Sequence, residues 1–481
     1  MIASDHTLAF TVGNKSIRLS RRTAFLLLIL LLGAIFRFWN LSRWSLWIDE
    51  LNTLRVAQQL RILREGIPDD QHPPLYYILM HYLSQISDRE VWLRLPAALA
   101  GWLALPLMWR VGRLFSNEQT GLTAVALLAF SPLHIWYSRE ARMYGVASLF
   151  WVASIFFYLR SLKRDSWLDS LALSVMTLTG IFLAYPTLGL WGLEISLFWL
   201  LWHLNGQKID RLIRWLMAQA LIALGFYLWW PFFQQQLERV SITFEWPILT
   251  RLGLDLSGTF ADTIYLGLSV GIGLLMAGLF IWLLVWWRPN LLVWVTSWFQ
   301  VAAIGIVILF ILATILGAIP RGLSLRRQLL VFWPPMVLLA GWALVYIGRF
   351  WLTAVVLTLS FCLAVVSLLG PPHEDWRGAA TWLMAQAEPT DMIIVAPNWI
   401  KSGFDYYYKG AVPYRSASNS EFAGEGAGPF SSGQRVWVVL LDNPGPENDI
   451  SPISTWFERH ATYFATHSFS RNIRVTGYEV K

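Results

Sequence analysis

Apolar residues in this chain fall in long runs separated by short basic or proline-containing stretches, a pattern that predicts membrane-spanning helices. "TAFLLLILLLGAIFRFW" (23 to 39), "SVGIGLLMAGLFIWLLVWW" (269 to 287) and "VAAIGIVILFILATILGAI" (301 to 319) each approach the ~20 residues a helix needs to cross a bilayer. Hydropathy places about eleven spans, near residues 23–41, 91–114, 120–137, 145–162, 167–184, 186–204, 212–232, 264–286, 293–317, 329–348 and 351–369.

Basic segments orient them. "KSIRLSRR", "WRVGR", "LRSLKR", "KIDRLIR", "WWRPN" and "GRF" all fall on one side, which the positive-inside rule makes cytoplasmic. The N-terminus is therefore expected in the cytoplasm of a cell-membrane protein. The first span follows Lys15, Arg18, Arg21 and Arg22, and "GAIFRFWNLSRW" lacks a small-residue cleavage site, so it reads as a retained anchor. The extracytoplasmic side receives the first loop (42–90), "SREARMY" (138–144), "YPT" (185–187), a loop near 232–263, "PRGLSLRRQ" (320–328) and everything after about residue 370.

After "GPPHEDW" the pattern changes. An amphipathic "EDWRGAATWLMAQA" alternates with the short apolar runs "DMIIVAP" and "RVWVVLLDN", around a Gly- and Ser-rich loop at 416–434. The expected organisation is an all-α polytopic membrane domain (1–370) followed by a small extracytoplasmic α/β accessory domain (371–481).

Composition agrees with the pattern. Charged residues are 14% of the chain and hydrophobic ones 56%, against about a quarter charged in soluble proteins. The single cysteine, Cys362, lies in a late apolar run, which excludes intrachain disulfides and thiolate clusters. The net charge of +7 resides largely in membrane-flanking loops, so no nucleic-acid partner is expected.

The first loop opens with "NLSRWSLWIDELNTLRVAQQL". Leu51, Leu54, Ala57, Leu60 and Leu63 recur at helical spacing, which predicts an amphipathic helix lying in the interface, with Trp44 and Trp47 as anchors. Asp49 suits an N-cap, and Glu50 suits the positive end of the helix dipole. Consecutive helical side chains point about 100° apart, so the two carboxylates are not expected to serve one reacting atom. Further on, "IPDDQHPPLYYILMHYLSQI" places Asp69, Asp70 and His72 just before a second helix whose start two prolines set. Each of these polar residues also suits a turn or cap.

"WSLWIDE", "HPPLYYILMHYL", "WLRLPAALAGWLALPLMWRVGRLF" and "SREARMYGVASLF", in that order, resemble the GT-C class of membrane glycosyltransferases. The branch they resemble contains the protein O-mannosyltransferases and the lipid A aminoarabinose transferase. "RRQLLVFWPPMVLLAGWAL" and "EDWRGAATWL" are similar to the same branch. The resemblance implies transfer of a sugar from a polyprenyl-phosphate donor, without a nucleotide sugar, to an acceptor on the extracytoplasmic face. It also implies an acidic active-site residue in the first loop, a position that Asp49 occupies here.

Such a transfer needs a base for the acceptor and positive charge for the leaving phosphate. Asp49 is the expected base and Glu50 a positioning or metal-supporting group. Arg321, Arg326 and Arg327 lie on the outer side against the charge bias, which suits an anionic lipid phosphate, donor or bulk headgroup. "SREARMY" adds Arg139 and Arg142 as phosphate candidates, and Glu140 and Tyr144 beside His72 and Tyr76 as cavity candidates; Glu140 equally suits pairing with its neighbouring arginines. Glu194 lies nine residues past Tyr185, about 13 Å along a helix. It is a candidate lining of the substrate cavity or a protonated structural carboxyl. A divalent metal is left open, with Asp49, Asp70, His72 and Glu140 as candidate ligands. The sugar, the acceptor (protein, lipid or glycan) and the oligomeric state stay undetermined by the sequence.

Two alternatives compete: a lipid or sugar transporter or flippase, and transfer of a whole lipid-linked glycan. A transporter favours inverted repeats and several charges near midplane; here Glu194 alone clearly intrudes.

Overall fold

The structure is a computed structural model. It describes residues 7–12, 15–59, 72–204, 208–239, 299–318, 327, 330–369, 374–417, 421–422, 430–441, 451–469 and 473–481. The chain opens with an antiparallel hairpin of β1 (Thr7–Val12) and β2 (Lys15–Ser20), in register Thr7↔Ser20 to Val12↔Lys15. The Ser20 Oγ accepts from the Thr23 amide at 3.2 Å and so starts α1 (Arg21–Phe38). Then follow α2 (Ile48–Gln58), α3 (Leu75–Ile86), α4 (Glu90–Phe115), α5 (Glu118–Ala129), α6 (Pro132–Tyr137), α7 (Met143–Lys163), α8 (Trp167–Leu183), α9 (Thr187–Leu204) and α10 (Ile209–Arg239). Beyond these come α11 (Phe299–Ala318), α12 (Trp333–Ile347) and α13 (Phe350–Leu369). The final part holds α14 (Trp376–Gln386), β3 (Met392–Ala396), α15 (Lys401–Tyr407), β4 (Tyr414–Ser416), β5 (Arg435–Leu441), α16 (Ser451–His460), β6 (Ala461–Phe469) and β7 (Ile473–Val480).

The expected span near 264–286 lies outside the described residues; the other expected spans each overlap helix within their described residues. One is broken. The run 120–137 is α5 and α6, because Pro132 brings no amide hydrogen and Ser131 caps a new helix through the His134 amide at 3.2 Å. Five of the described helical segments are long and apolar enough to cross a membrane. Leu31 on α1, Leu228 on α10 and Val366 on α13 are exposed, as side chains that face lipid rather than water are. The chain is a multi-pass membrane protein.

The chain divides into two compact units, Met1–Trp39 with Gln59–Tyr82 and Arg94–Leu368, and Asn40–Gln58 with Leu83–Leu93 and Leu369–Lys481. Within the first, small residues let helices meet backbone to backbone. A Cβ built on Gly112 of α4 would stand 2.6 Å from the Gly121 Cα of α5, and one on Gly341 of α12 would stand 3.0 Å from the Ala124 amide nitrogen. Gly112→Leu is therefore expected to force α4 and α5 apart and cost about 1–3 kcal/mol, read as a lowered melting temperature of the purified protein; an unchanged melt would refute the close contact.

The second unit is built on a five-stranded sheet of order β4-β3-β5-β7-β6, parallel from β4 through β5 and antiparallel beyond. From Val436 onward β5 is buried without alternation, as a central strand covered on both faces should be. Ile394, Val438, Ile453, Trp456 and Phe457 form its core.

Candidate active site

In the second unit, the start of α2 is held by carboxylates and a phenol from distant parts of the chain. Glu50, fully buried, turns back to accept the Trp47 amide at 3.1 Å, the glutamate half of a capping box. The next amide, Ile48, donates to Glu374 Oε2 at 3.1 Å, and Trp376 Nε1 donates to the same oxygen at 2.8 Å. Ser45 Oγ donates to the Glu374 carbonyl at 2.6 Å. The Leu46 amide donates to the Tyr407 hydroxyl at 2.6 Å, and that hydroxyl donates to Glu90 Oε1 at 2.5 Å. Arg377 pairs with Glu90 and also donates to the Ser42 carbonyl at 3.1 Å. Burial, then the Glu90 carboxylate, pushes the Tyr407 phenol well above its ordinary range, so it stays protonated and keeps donating.

This arrangement divides the two acids. Glu50 caps and Asp49 does not take the N-cap position, which falls to Trp47. Asp49 is half-buried in the first turn of α2, and its carbonyl accepts from Thr53 Oγ1 at 2.9 Å. Glu90, Glu374, Arg377 and Tyr407 were not among the sequence-derived site residues. Glu374 and Arg377 lie in the quoted "EDWRGAATWL", yet no local spacing ties them to residues 42–50.

In the first unit, His72, Arg142 and Tyr144 come together. Arg142 Nη2 donates to His72 Nε2 at 2.9 Å, and the Tyr144 ring lies edge-on to His72 at 6.5 Å and to Tyr137 at 5.1 Å. The His72 carbonyl accepts from Gln236 Nε2 at 3.1 Å. Gln236 Oε1 accepts from Tyr185 at 2.5 Å, and that hydroxyl accepts from Trp229 Nε1 at 2.8 Å. A chain of polar side chains thus runs from α10 to the start of α7. Tyr76 and Glu140 are both buried.

Arg139 has a different place. Its Nη1 donates to the carbonyls of Trp39, Phe36 and Arg37 at 2.8, 3.1 and 3.4 Å, closing the C-terminal end of α1. Arg37 does the same for α5, donating to Leu128 and Ala129 carbonyls at 3.2 and 3.3 Å and to His134 Nδ1 at 2.8 Å. His134 Nε2 in turn meets Ser148 Oγ at 3.1 Å. Neither Arg37 nor His134 was singled out from the sequence; an arginine inside an apolar run was the available signal.

Glu194 lies apart from these groups, buried in α9 and accepting from Ser154 Oγ at 2.6 Å, with Thr177 Oγ1 bonded to the same serine at 2.6 Å. Asp69, Asp70, Arg321 and Arg326 lie outside the described residues; Arg327 is described as helical and half-buried. Among the described residues no group of three or more His, Cys, Asp or Glu side chains is placed to hold a metal ion.

Residues 71–230 match the family described as dolichyl-phosphate-mannose-protein mannosyltransferase. Among solved structures, ArnT from Cupriavidus metallidurans in the apo state is similar with a TM-score of 0.51 and 12% identity, over 95% of this chain and 98% of that one. ArnT from the same organism bound to undecaprenyl phosphate has a TM-score of 0.41 and 12% identity, over 94% and 97%. The Archaeoglobus fulgidus oligosaccharyltransferase in complex with zinc and sulfate has a TM-score of 0.46 and 12% identity, over 93% and 73%. At such identity the likeness speaks for the fold, and the first of the three carries it. No curated protein matches in sequence.

Proposed function

We propose that this chain, which shares its fold and a family match with the GT-C glycosyltransferases, transfers a sugar from a polyprenyl-phosphate donor to an acceptor on the extracytoplasmic face of the cell membrane. The observation that carries the reading is the mannosyltransferase match over 71–230, which spans both His72 and "SREARMY". Asp49 takes the proton of the attacking acceptor hydroxyl or amine, as a positioned carboxylate does in general-base catalysis. Glu50 sets the first turn of α2 that presents it. The assignment is supported by Glu50 being spent on the Trp47 amide.

Negative charge develops on the departing polyprenyl phosphate, and guanidinium donors stabilise it. Arg142 and Arg327 are the described residues assigned to that role, with Arg321 and Arg326 near Arg327 in sequence. Arg139 is assigned to the end of α1, because its Nη1 already serves three carbonyls. His72 orients Arg142 through the 2.9 Å contact. Glu140, Tyr76 and Tyr144 line the acceptor or donor cavity in this reading, and Glu194 holds the helix bundle through Ser154.

Membranes carrying the chain are expected to transfer labelled mannose from polyprenyl-phosphate mannose and none from a nucleotide sugar. Arg142→Gln should raise the donor KM about tenfold, measured by donor titration. Transfer from the nucleotide sugar alone would overturn the donor class; an unchanged KM would remove Arg142 from the phosphate.

A further inference from the structure

Where the α7–α8 turn meets the start of α10, Arg160, Lys208, Arg211 and Arg214 meet two carboxylates, Asp165 and Asp169. Asp169 is taken by Arg160 at 2.9 Å. Asp165 receives three cations at once. Lys208 Nζ reaches its Oδ2 at 2.9 Å, while Arg214 Nη2 and Arg211 Nη2 reach its Oδ1 at 2.8 and 3.5 Å. The Lys208 hydrogen bond, ahead of the charges of the two arginines, holds the Asp165 carboxyl below its usual range, so it remains an anionic tether.

Asp165 balances only one of the two charges that Lys208 and Arg214 bring to it. The arginine side chains are only 6% and 8% exposed, whereas Lys208 and Asp165 are 57% and 46% exposed. Guanidinium groups held out of water with surplus charge carry a desolvation cost that a further anion offsets. Lys208 and Arg214 each have more N–H donors than the bond to Asp165 uses.

The surroundings name the kind of anion. The Trp167 ring lies 5.9 Å from the Arg214 guanidinium, Trp202 Nε1 donates to the Lys208 carbonyl at 3.0 Å, and Trp215 stacks on Phe198 at 3.9 Å. Trp167 and Leu168 stand exposed beside the cluster. Tryptophans at the ends of apolar helices mark headgroup level, and exposed apolar side chains there meet acyl chains.

We propose that Lys208, Arg211 and Arg214, gathered on Asp165, bind the phosphate of an anionic phospholipid headgroup. The site is independent of the sugar-transfer reading. It uses charge-assisted hydrogen bonds from planar guanidinium and ammonium groups, and the tether spaces the cations so that they do not repel one another apart.

The full chain, purified in a neutral detergent, is melted with dioctanoyl phosphatidylglycerol, dioctanoyl phosphatidylcholine or sodium phosphate. Phosphatidylglycerol is expected to raise the Tm saturably, by mass action on the folded state, and the other two are not. Lys208→Gln, at an exposed position, should melt like the parent without lipid and need about tenfold more phosphatidylglycerol for the same shift. The proposal is overturned if phosphatidylglycerol gives no shift, if sodium phosphate gives the same one, or if Lys208→Gln and the Lys208→Gln/Arg214→Gln pair respond as the parent does.

Discussion

Asp49→Asn is expected to lower sugar transfer by about 10²- to 10⁴-fold, the range lost when a general base is removed. The substitution keeps the size of the side chain and takes away only its ability to accept a proton. Asp49 is half-buried at the surface of α2, and the capping of that helix rests on Glu50 and Glu374. Protein level and melting temperature should therefore stay within the small range of a benign substitution, roughly 0.5 kcal/mol. Glu50→Gln is the control: its amide oxygen still accepts the Trp47 amide, so most activity should survive. Transfer by Asp49→Asn at the parental rate in isolated membranes would end the assignment of Asp49 as the base, and equal losses in both variants would end the division of labour.

Glu374→Ala is expected to reduce kcat about 100-fold while leaving the donor KM close to the parent. The alanine leaves the Ile48 amide and Trp376 Nε1 without their acceptor, each at a cost of about 1–3 kcal/mol when buried. The first turn of α2 then loses its fixed direction, and a displacement of about 1 Å of a reacting group costs about 10²-fold in rate. Glu374→Gln keeps an oxygen in the same place and should restore most of the rate, losing only the favourable charge near the helix N-terminus, about 0.3–1 kcal/mol. The readout is the split of kcat against KM in the three proteins together with their melting curves. A Gln variant as poor as Ala would mean the charge matters rather than the position. A parental kcat for Ala would remove Glu374 as a positioning residue. Tyr407→Phe tests the same loop from its other anchor, since it removes the acceptor of the Leu46 amide.

Most helices were legible because a span is a local property imposed by the bilayer. Each backbone amide must be satisfied within its own segment, so about 20 consecutive apolar residues suffice to predict one. The break at Ser131-Pro132 was also written locally, but hydropathy over 120–137 masks it: a span scale weighs apolarity and disregards caps. Pairing of β3 with β5 was foreshadowed by two short apolar runs, while their parallel register, Ile393 opposite Trp437, is a long-range matter.

The carboxylates show the boundary most clearly. Helical spacing separated Asp49 from Glu50 and offered Asp49 the N-cap and Glu50 the positive end of the dipole; the fold gives the capping to Glu50. That was decided by Glu374, 326 residues away from Ile48, and by Tyr407, 361 residues away from Leu46 and itself donating to Glu90. The arginines of "SREARMY" behave alike. Residue type predicted anion binding for both, but Arg139 closes the carbonyl end of α1 and Arg142 meets His72. By itself the sequence determined a polytopic helical membrane protein with a C-terminal α/β part and an acidic pair in its first loop, because apolar runs and local spacing act within a few turns. Only the tertiary structure decided which polar groups are spent on satisfying backbone, because a donor buried in one segment takes whatever acceptor the fold brings to it.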